Sequence, residues 1–293
     1  MLTVVRALSF LMRMVPLSWA LAFARAMAWV WFWLVPIRRR VALENVRRAL
    51  GDEAPRHAIV RGCFANLTMF AAEALRLPEL TREKVEALVE VQGQEHLDAA
   101  LALGRGVVVV SAHMGNFDLL GCAAALRGEL TNVVYKAIRW KQAHDFFFAA
   151  RKRCGVTVIP PKGSERQILR ALRANQAVAF VIDQHMPKHR GVACRFFGRY
   201  ASTTPAPALF AMKTGAVVLP ALIRRVGHSG RHVSTIYPPI AMEEPHADRA
   251  ANLRHNMQRL NDWLEAEVRK TPEQWLWLHK RWKIEQNLAE WGL

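Results

Sequence analysis

The sequence predicts an α/β chain whose mostly parallel sheet is flanked by helices, and three observations carry that expectation. Short, nearly unbroken apolar runs recur along the chain, GVVVV at 106–110 being the purest. Amphipathic stretches of ordinary helical length lie between them, and strands buried on both faces that alternate with helices are the pattern of a parallel sheet. An apolar stretch near the N-terminus places a hydrophobic anchor helix in front of this domain.

Taken in order, the anchor is LSWALAFARAMAWVWFWLVPI, residues 17–37, with Arg25 as its only charge and the basic block Arg38 to Arg40 directly behind it. Its length suits a bilayer span with the block on the cytoplasmic side; it equally suits a helix lying in the interface, with Arg6, Arg13 and Arg25 reaching headgroups. A buried core helix is the third arrangement that fits. The run is long, rich in tryptophan and without a small-residue cleavage site, so it does not read as a removable signal. The expected organisation is therefore an anchor or interfacial helix over 1–40 and one further domain over 41–293.

Beyond residue 54, Ile59, Cys63, Leu67, Phe70 and Ala74 recur at helical spacing, and the pattern stops at Pro78. Strands are expected at 88–91, 107–112, 132–135, 156–159, 177–182 and 217–223. SERQILRALRANQ supplies a helix with Ser164 as its N-cap. A long amphipathic helix runs through Ala250, Leu253, Met257, Leu260, Leu264 and Val268, and Thr271 with Pro272 is expected to cap another.

With 293 residues and 52% apolar side chains the chain is large enough for a substantial core. Its 41 Lys and Arg against 24 Asp and Glu, a net charge of +17, call for anionic partners: nucleic acid, a phospholipid surface, or an acidic carrier or substrate. The cysteines, Cys63, Cys122, Cys154 and Cys194, form no CxxC pair, so they read as reduced thiols and not as a zinc site.

The chemistry concentrates in SAHMGNFDLL, residues 111–120. His113 falls at the carboxyl end of an apolar strand, the edge where open α/β sheets collect ligands. Gly115 permits a turn, Asn116 offers an N-cap, and Asp118 lies in the first turn of the next helix, where the helix dipole favours a carboxylate. A carboxylate on one imidazole nitrogen would fix the tautomer and leave the other nitrogen free as a base. No GxSxG surrounds Ser111, no cysteine adjoins the histidine, and HExxH and Walker A sequences are absent. The simplest use of such a base is to activate a hydroxyl or amine of the substrate itself. On spacing alone, a satisfied polar pair with no chemistry fits the same residues.

The run SAHMGNFD resembles the HxxxxD/E motif of the glycerolipid acyltransferase superfamily. Longer blocks are similar to one branch of it, the bacterial late acyltransferases of lipid A biosynthesis: RRRVALENVRRAL after the anchor, VIDQHMPKHRGVACRFFGRYASTTPAPALFAMKTGAVVLP, and PEQWLWLHKRWK near the C-terminus. This resemblance implies a glycerol-3-phosphate-acyltransferase-like fold and a membrane-bound enzyme on the cytoplasmic side of the bacterial inner membrane. Its donor would be an acyl carrier protein thioester, or less often acyl coenzyme A, and its acceptor a hydroxyl of a lipid A precursor, with no cofactor and no metal. Carried over residue by residue, His113 would be the general base and Asp118 its orienting acid, at a place where the branch often has Glu. Arg151, Asp183, Gln184, Lys136 and Arg139 would bind substrate, and Phe146 to Phe148 offer an acyl groove. Other acceptors, lysophospholipid or ornithine lipid among them, fit the same motifs. A basic peripheral lipid- or nucleic-acid-binding protein is the non-enzymatic alternative. Nucleic-acid binding has no need of the apolar N-terminus, and no Lys/Arg block exceeds three residues.

Overall fold

The computed structural model describes residues 4–35, 37–129, 131–135 and 138–293. Two helices, α1 (Val4–Met14) and α2 (Leu17–Leu34), precede α3 (Arg39–Leu50), α4 (Arg56–Ala74) and α5 (Arg82–Leu88). There follow β1 (Val89–Gln92), α6 (Gln94–Ala102), β2 (Val107–Ser111), α7 (Phe117–Leu126), β3 (Thr131–Val134), α8 (Lys141–Arg153), β4 (Thr157–Ile159), α9 (Glu165–Arg173) and β5 (Ala177–Val181). The C-terminal third carries a hairpin, β6 (Val192–Phe196) and β7 (Arg199–Thr203), then α10 (Ala206–Thr214), β8 (Val217–Arg225), β9 (His232–Ile236) and α11 (Arg249–Lys270).

Seven strands form one sheet in the order β1-β9-β8-β2-β5-β3-β4. The five from β8 to β4 are parallel, and β9 reverses the direction by pairing antiparallel with β8. The mostly parallel α/β architecture expected from the sequence is what the chain adopts. The central strand β2 is apolar from Val107 to Val110 because it is covered on both faces: Val108 and Val110 join the cluster that contains α9, α10 and α11, while Val107 and Val109 pack beneath α6. Because crossovers between parallel strands are right-handed, helices fall on both sides of the sheet, and the loops at the carboxyl ends of β2, β3, β4 and β5 share one edge.

The candidate anchor α2 is long and apolar enough to cross a membrane, and it rests one side on the domain. Ala20, Leu21, Ala24, Ala28 and Phe32 of α2 are buried, with Ala28 and Phe32 in the same core cluster as Val46 and Phe64, and α2 lies against α4. Its opposite side leaves Trp19, Phe23, Trp29 and Trp33 exposed, and Phe10, Leu11 and Met14 of α1 are exposed as well. The hairpin was not expected, because its two-residue turn is Phe197-Gly198, with φ of 53° and 69°, where Asn-Gly is the usual signal. Phe197 is held in this left-handed conformation by Glu265, which accepts its backbone N–H, and by Arg269 stacked 4.6 Å from its ring. Finally, Thr271 and Pro272 open only a single 3-10 turn, Pro272–Gln274, and no further α-helix. The backbone N–H of Leu276 donates to His113 O at 3.1 Å, and Met114 and Trp275 form an antiparallel bridge, so these groups serve the sheet edge where a helix would have used them internally.

Candidate active site

The geometry of the site follows from strand register. Ser111 of β2 lies opposite Val181 of β5, so two residues further along each chain His113 and Asp183 arrive side by side. The ring Nδ1 of His113 is 2.8 Å from Asp183 Oδ1, and its backbone N–H donates to Oδ2 at 2.9 Å. A third donor, the indole N–H of Trp275, reaches the same Oδ2 at 2.8 Å.

Burial alone would raise the Asp183 carboxyl, which is 2% exposed, but the imidazole and the N–H donors outweigh it and hold the pKa at about 2. For His113, burial favours the neutral ring; the Asp183 charge and hydrogen bond overcome this, with Asp118 adding to them, and leave the pKa above the ordinary 6.5. An anionic Asp183 fixes the proton of the neutral ring on Nδ1 and directs the Nε2 lone pair away. That lone pair lies 3.2 Å from the amide nitrogen of Gln184, and the His113 side chain is 20% exposed.

Asp118 takes a different position from the expected one. Its carboxylate does not hydrogen bond to the histidine; it receives Arg151 in a bidentate pair, with Nη2 at 2.9 and 2.7 Å and Nε at 3.1 Å. Both side chains are buried, and the Tyr135 ring lies 4.1 Å from the guanidinium carbon. In the first turn of α7, Asp118 faces α8, and a bidentate guanidinium is a stronger partner for a carboxylate than one imidazole N–H. Arg151 is thereby spent on Asp118 and, at 5% exposure, is not presented to a phosphate or oxyanion. The pair ties α7 to α8, and so fixes the start of the helix that leaves the His113 loop.

Of the other expected residues, Gln184 stands at His113 Nε2, while Arg139 is exposed between β3 and α8 and touches none of this group. Lys136 lies outside the described residues. Phe147 packs in the small core cluster beside Cys154 and Phe148 is exposed, so neither faces His113. Among the described residues no cluster of His, Cys, Asp and Glu is arranged to hold a metal ion.

Sequence reasoning missed the scaffold behind the loop. Asn116 caps α7 as expected, accepting the Leu119 N–H at 3.0 Å, but its amide also donates to Glu73 at 2.7 Å, and Glu73 in turn pairs with the buried Arg225. Gly115, with φ of 56°, sits so close to β8 that a Cβ would fall 2.1 Å from Ile223 O; its N–H donates to Gln274 O. Arg281, fully buried, donates to Ser202 O, Thr203 and Asn261, and burial lowers its pKa to about 10. Beside the loop, on the α7 side, lies a 270 Å³ cavity walled mainly by leucines such as Leu77, Leu80 and Leu119, with charged side chains, Glu73, Arg76 and Lys84 among them, also on its lining.

The sheet edge therefore presents an imidazole oriented by a carboxylate, without an adjoining serine or cysteine nucleophile in hydrogen-bond reach. Chemically, such an imidazole can take a proton from a hydroxyl brought within reach of Nε2. Residues 2–284 match the family described as "Bacterial lipid A biosynthesis acyltransferase", and the chain belongs to that family. It is 29% identical over 185 residues to a phosphatidylinositol mannoside acyltransferase of Mycobacterium tuberculosis H37Rv, a stretch that covers 60% of this chain and 58% of that one. With a protein of the same name from Mycolicibacterium smegmatis it shares 24% over 228 residues, 76% of this chain and 72% of the other. With the lipid A biosynthesis palmitoleoyltransferase of Escherichia coli K12 it shares 23% over 254 residues, 84% of this chain and 79% of that protein.

Proposed function

We propose that the protein is an O-acyltransferase that moves a fatty acyl chain from a thioester, acyl carrier protein being the donor that its basic charge suits, to a hydroxyl of a lipid A precursor. The observation that carries this reading is the Asp183-oriented imidazole of His113, whose Nε2 alone is left to meet a hydroxyl. Nε2 takes the hydroxyl proton as the oxygen attacks the thioester carbonyl carbon. The C–S bond then breaks, and the departing thiolate recovers the proton from the imidazolium. A thioester is already activated, so the step calls for neither metal nor nucleotide. Gln184, 3.2 Å from Nε2, stands where the acceptor hydroxyl is to bind and would give way to it. In this scheme Asp183 orients the base, and Asp118 acts through its ion pair with Arg151.

The apolar cavity beside α7 suits the acyl tail, and the exposed tryptophan face of α2 with the apolar face of α1 suits insertion into the headgroup region. Because α2 is packed along α4, the interfacial arrangement fits the fold better than a single span. Such a surface would lie on the cytoplasmic face of the inner membrane, where an acidic carrier meets it. A second acceptor, the sugar of a phosphatidylinositol mannoside, is favoured by the mycobacterial relatives. Purified protein is to be offered acyl carrier protein and coenzyme A thioesters with both acceptors, and free thiol and acylated lipid followed. His113→Ala is expected to lower turnover by roughly a hundredfold or more. Near-normal turnover in that variant, or no acyl transfer from any thioester by the unaltered protein, refutes the proposal.

A further inference from the structure

The C-terminal segment 271–282 holds the backbone of the His113 loop directly. Leu276 N–H donates to His113 O, Gly115 N–H donates to Gln274 O, and the Gln274 side chain exchanges two hydrogen bonds with the Arg225 backbone at 2.7 and 3.0 Å. Asn45 of α3 pins the segment from outside through the carbonyls of Trp277 and His279, each at 2.7 Å. At its centre Trp275, 1% exposed, packs edge-on to Trp277 and Phe196 and points its only polar atom at Asp183.

We propose that Trp275, through its indole N–H, is a positioning residue for the reaction: it fixes the Asp183 carboxylate against the loop that carries His113 and makes the C-terminal segment part of the catalytic apparatus. This rests on the acyl transfer proposed above. The physical reason is the state of Asp183. A fully buried carboxylate needs every donor it can gather, and one that loses a donor either swings toward another partner or leans harder on the imidazole. Oδ1 is committed to His113 Nδ1; Oδ2 is shared by the His113 backbone and the indole alone. The other charged or titratable neighbours are Asp118 on α7, which adds to the field at His113, and His279 and Arg281 on the same segment. Among the described residues none of these hydrogen bonds to Asp183.

Trp275→Phe removes the donor and keeps an aromatic ring. Trp277→Phe is its control, since that indole donates to Pro272 O in the same cluster and never meets Asp183. Both variants are to be compared by thermal unfolding, by kcat and KM across pH, and by NMR titration of the His113 imidazole, which needs no turnover. Trp275→Phe is expected to lower kcat by about tenfold with KM little changed. It should also move the His113 midpoint upward, because a carboxylate with one donor fewer holds the imidazolium more tightly. Trp277→Phe should lose similar thermal stability and keep the wild-type midpoint. Trp275→His, which retains an N–H, should restore part of kcat.

A Trp275→Phe midpoint that coincides with wild type, or an equal shift in Trp277→Phe, overturns the proposal in favour of packing alone. If Trp275→Phe does not fold, the wild-type protein labelled with [15N]tryptophan decides: one of its ten indole N–H resonances should titrate with the His113 midpoint and lose that dependence in His113→Ala. None doing so overturns it. The titration stands even if no thioester is turned over, so failure of the proposed activity and failure of this inference are separable.

Discussion

Replacing Asp118 with asparagine separates two roles that the HxxxxD spacing merges. The carboxylate is 7% exposed and its guanidinium partner 6% exposed, with three contacts between 2.7 and 3.1 Å, so removing the charge strands Arg151 in a site that water barely reaches. Removing one partner of a buried pair costs about 3–5 kcal/mol, because the remaining charge stays desolvated without compensation. Against a total stability on the order of 5–15 kcal/mol this is a large share. At roughly 2–4 °C per kcal/mol it lowers Tm by roughly 6–20 °C.

The assay is thermal and denaturant unfolding of Asp118→Asn, Arg151→Met and the double variant in one detergent, read as a double-mutant cycle. The double variant, which buries no unpaired charge, should recover stability with a coupling of about 2–3 kcal/mol. Asp118→Asn should also lower the His113 pKa, since Asp118 helps hold it up. An Asp118→Asn protein with wild-type Tm but crippled kcat would refute this account and restore Asp118 as the orienting acid.

Five other outcomes follow from the same geometry. Asp183→Asn removes the acceptor that fixes the His113 tautomer, and kcat should fall by on the order of 10³–10⁴-fold, read in the thiol-release assay. The acid limb of kcat/KM should have its midpoint above the ordinary histidine value of 6.5, since the base works only when neutral and its pKa is raised. Stability runs the other way for this group: a raised histidine pKa stabilises fully below the unfolded value and loses that contribution as pH rises through the folded one, which pH-dependent unfolding will register. On α2, Trp29→Ser together with Trp33→Ser should weaken binding to anionic vesicles by on the order of tenfold or more, measured by sedimentation, with unchanged Tm because both rings are exposed. Cys63 and Cys194, both pushed up to about 12 by burial, should resist alkylation at pH 8 until the protein unfolds.

Much of this was legible where one physical cause dominated. The four consecutive valines of β2 announce a strand covered on both faces, and Asn116 after Gly115 announces the turn and the cap of α7. The partner of His113 was only half legible. Asp183 was picked out as a residue at a strand end, but its pairing with the histidine depends on the β2 to β5 register, and no spacing within one segment encodes that. Two apolar runs of equal length, VVVVSAH and AVAFVID, each ending in a polar group at the same offset, were the signal that could have been read. Asp118, by contrast, offered a short-range partner in sequence, and its true partner lies 33 residues away on another helix. The hairpin was hidden because Phe197 occupies a conformation that tertiary contacts impose, and the helix expected after Thr271 lost its backbone donors to the sheet edge.

The bond between Leu276 and the His113 loop joins the end of the chain to its middle across 163 residues. Closing so long a loop is entropically costly, so the contact relies on the intervening sheet to hold its two ends together. Without residues 271–282 the loop of His113 loses the backbone partners that Gln274 and Leu276 supply. Cleavage ahead of residue 271 is thus expected to free the loop of His113 while leaving most of the sheet in place.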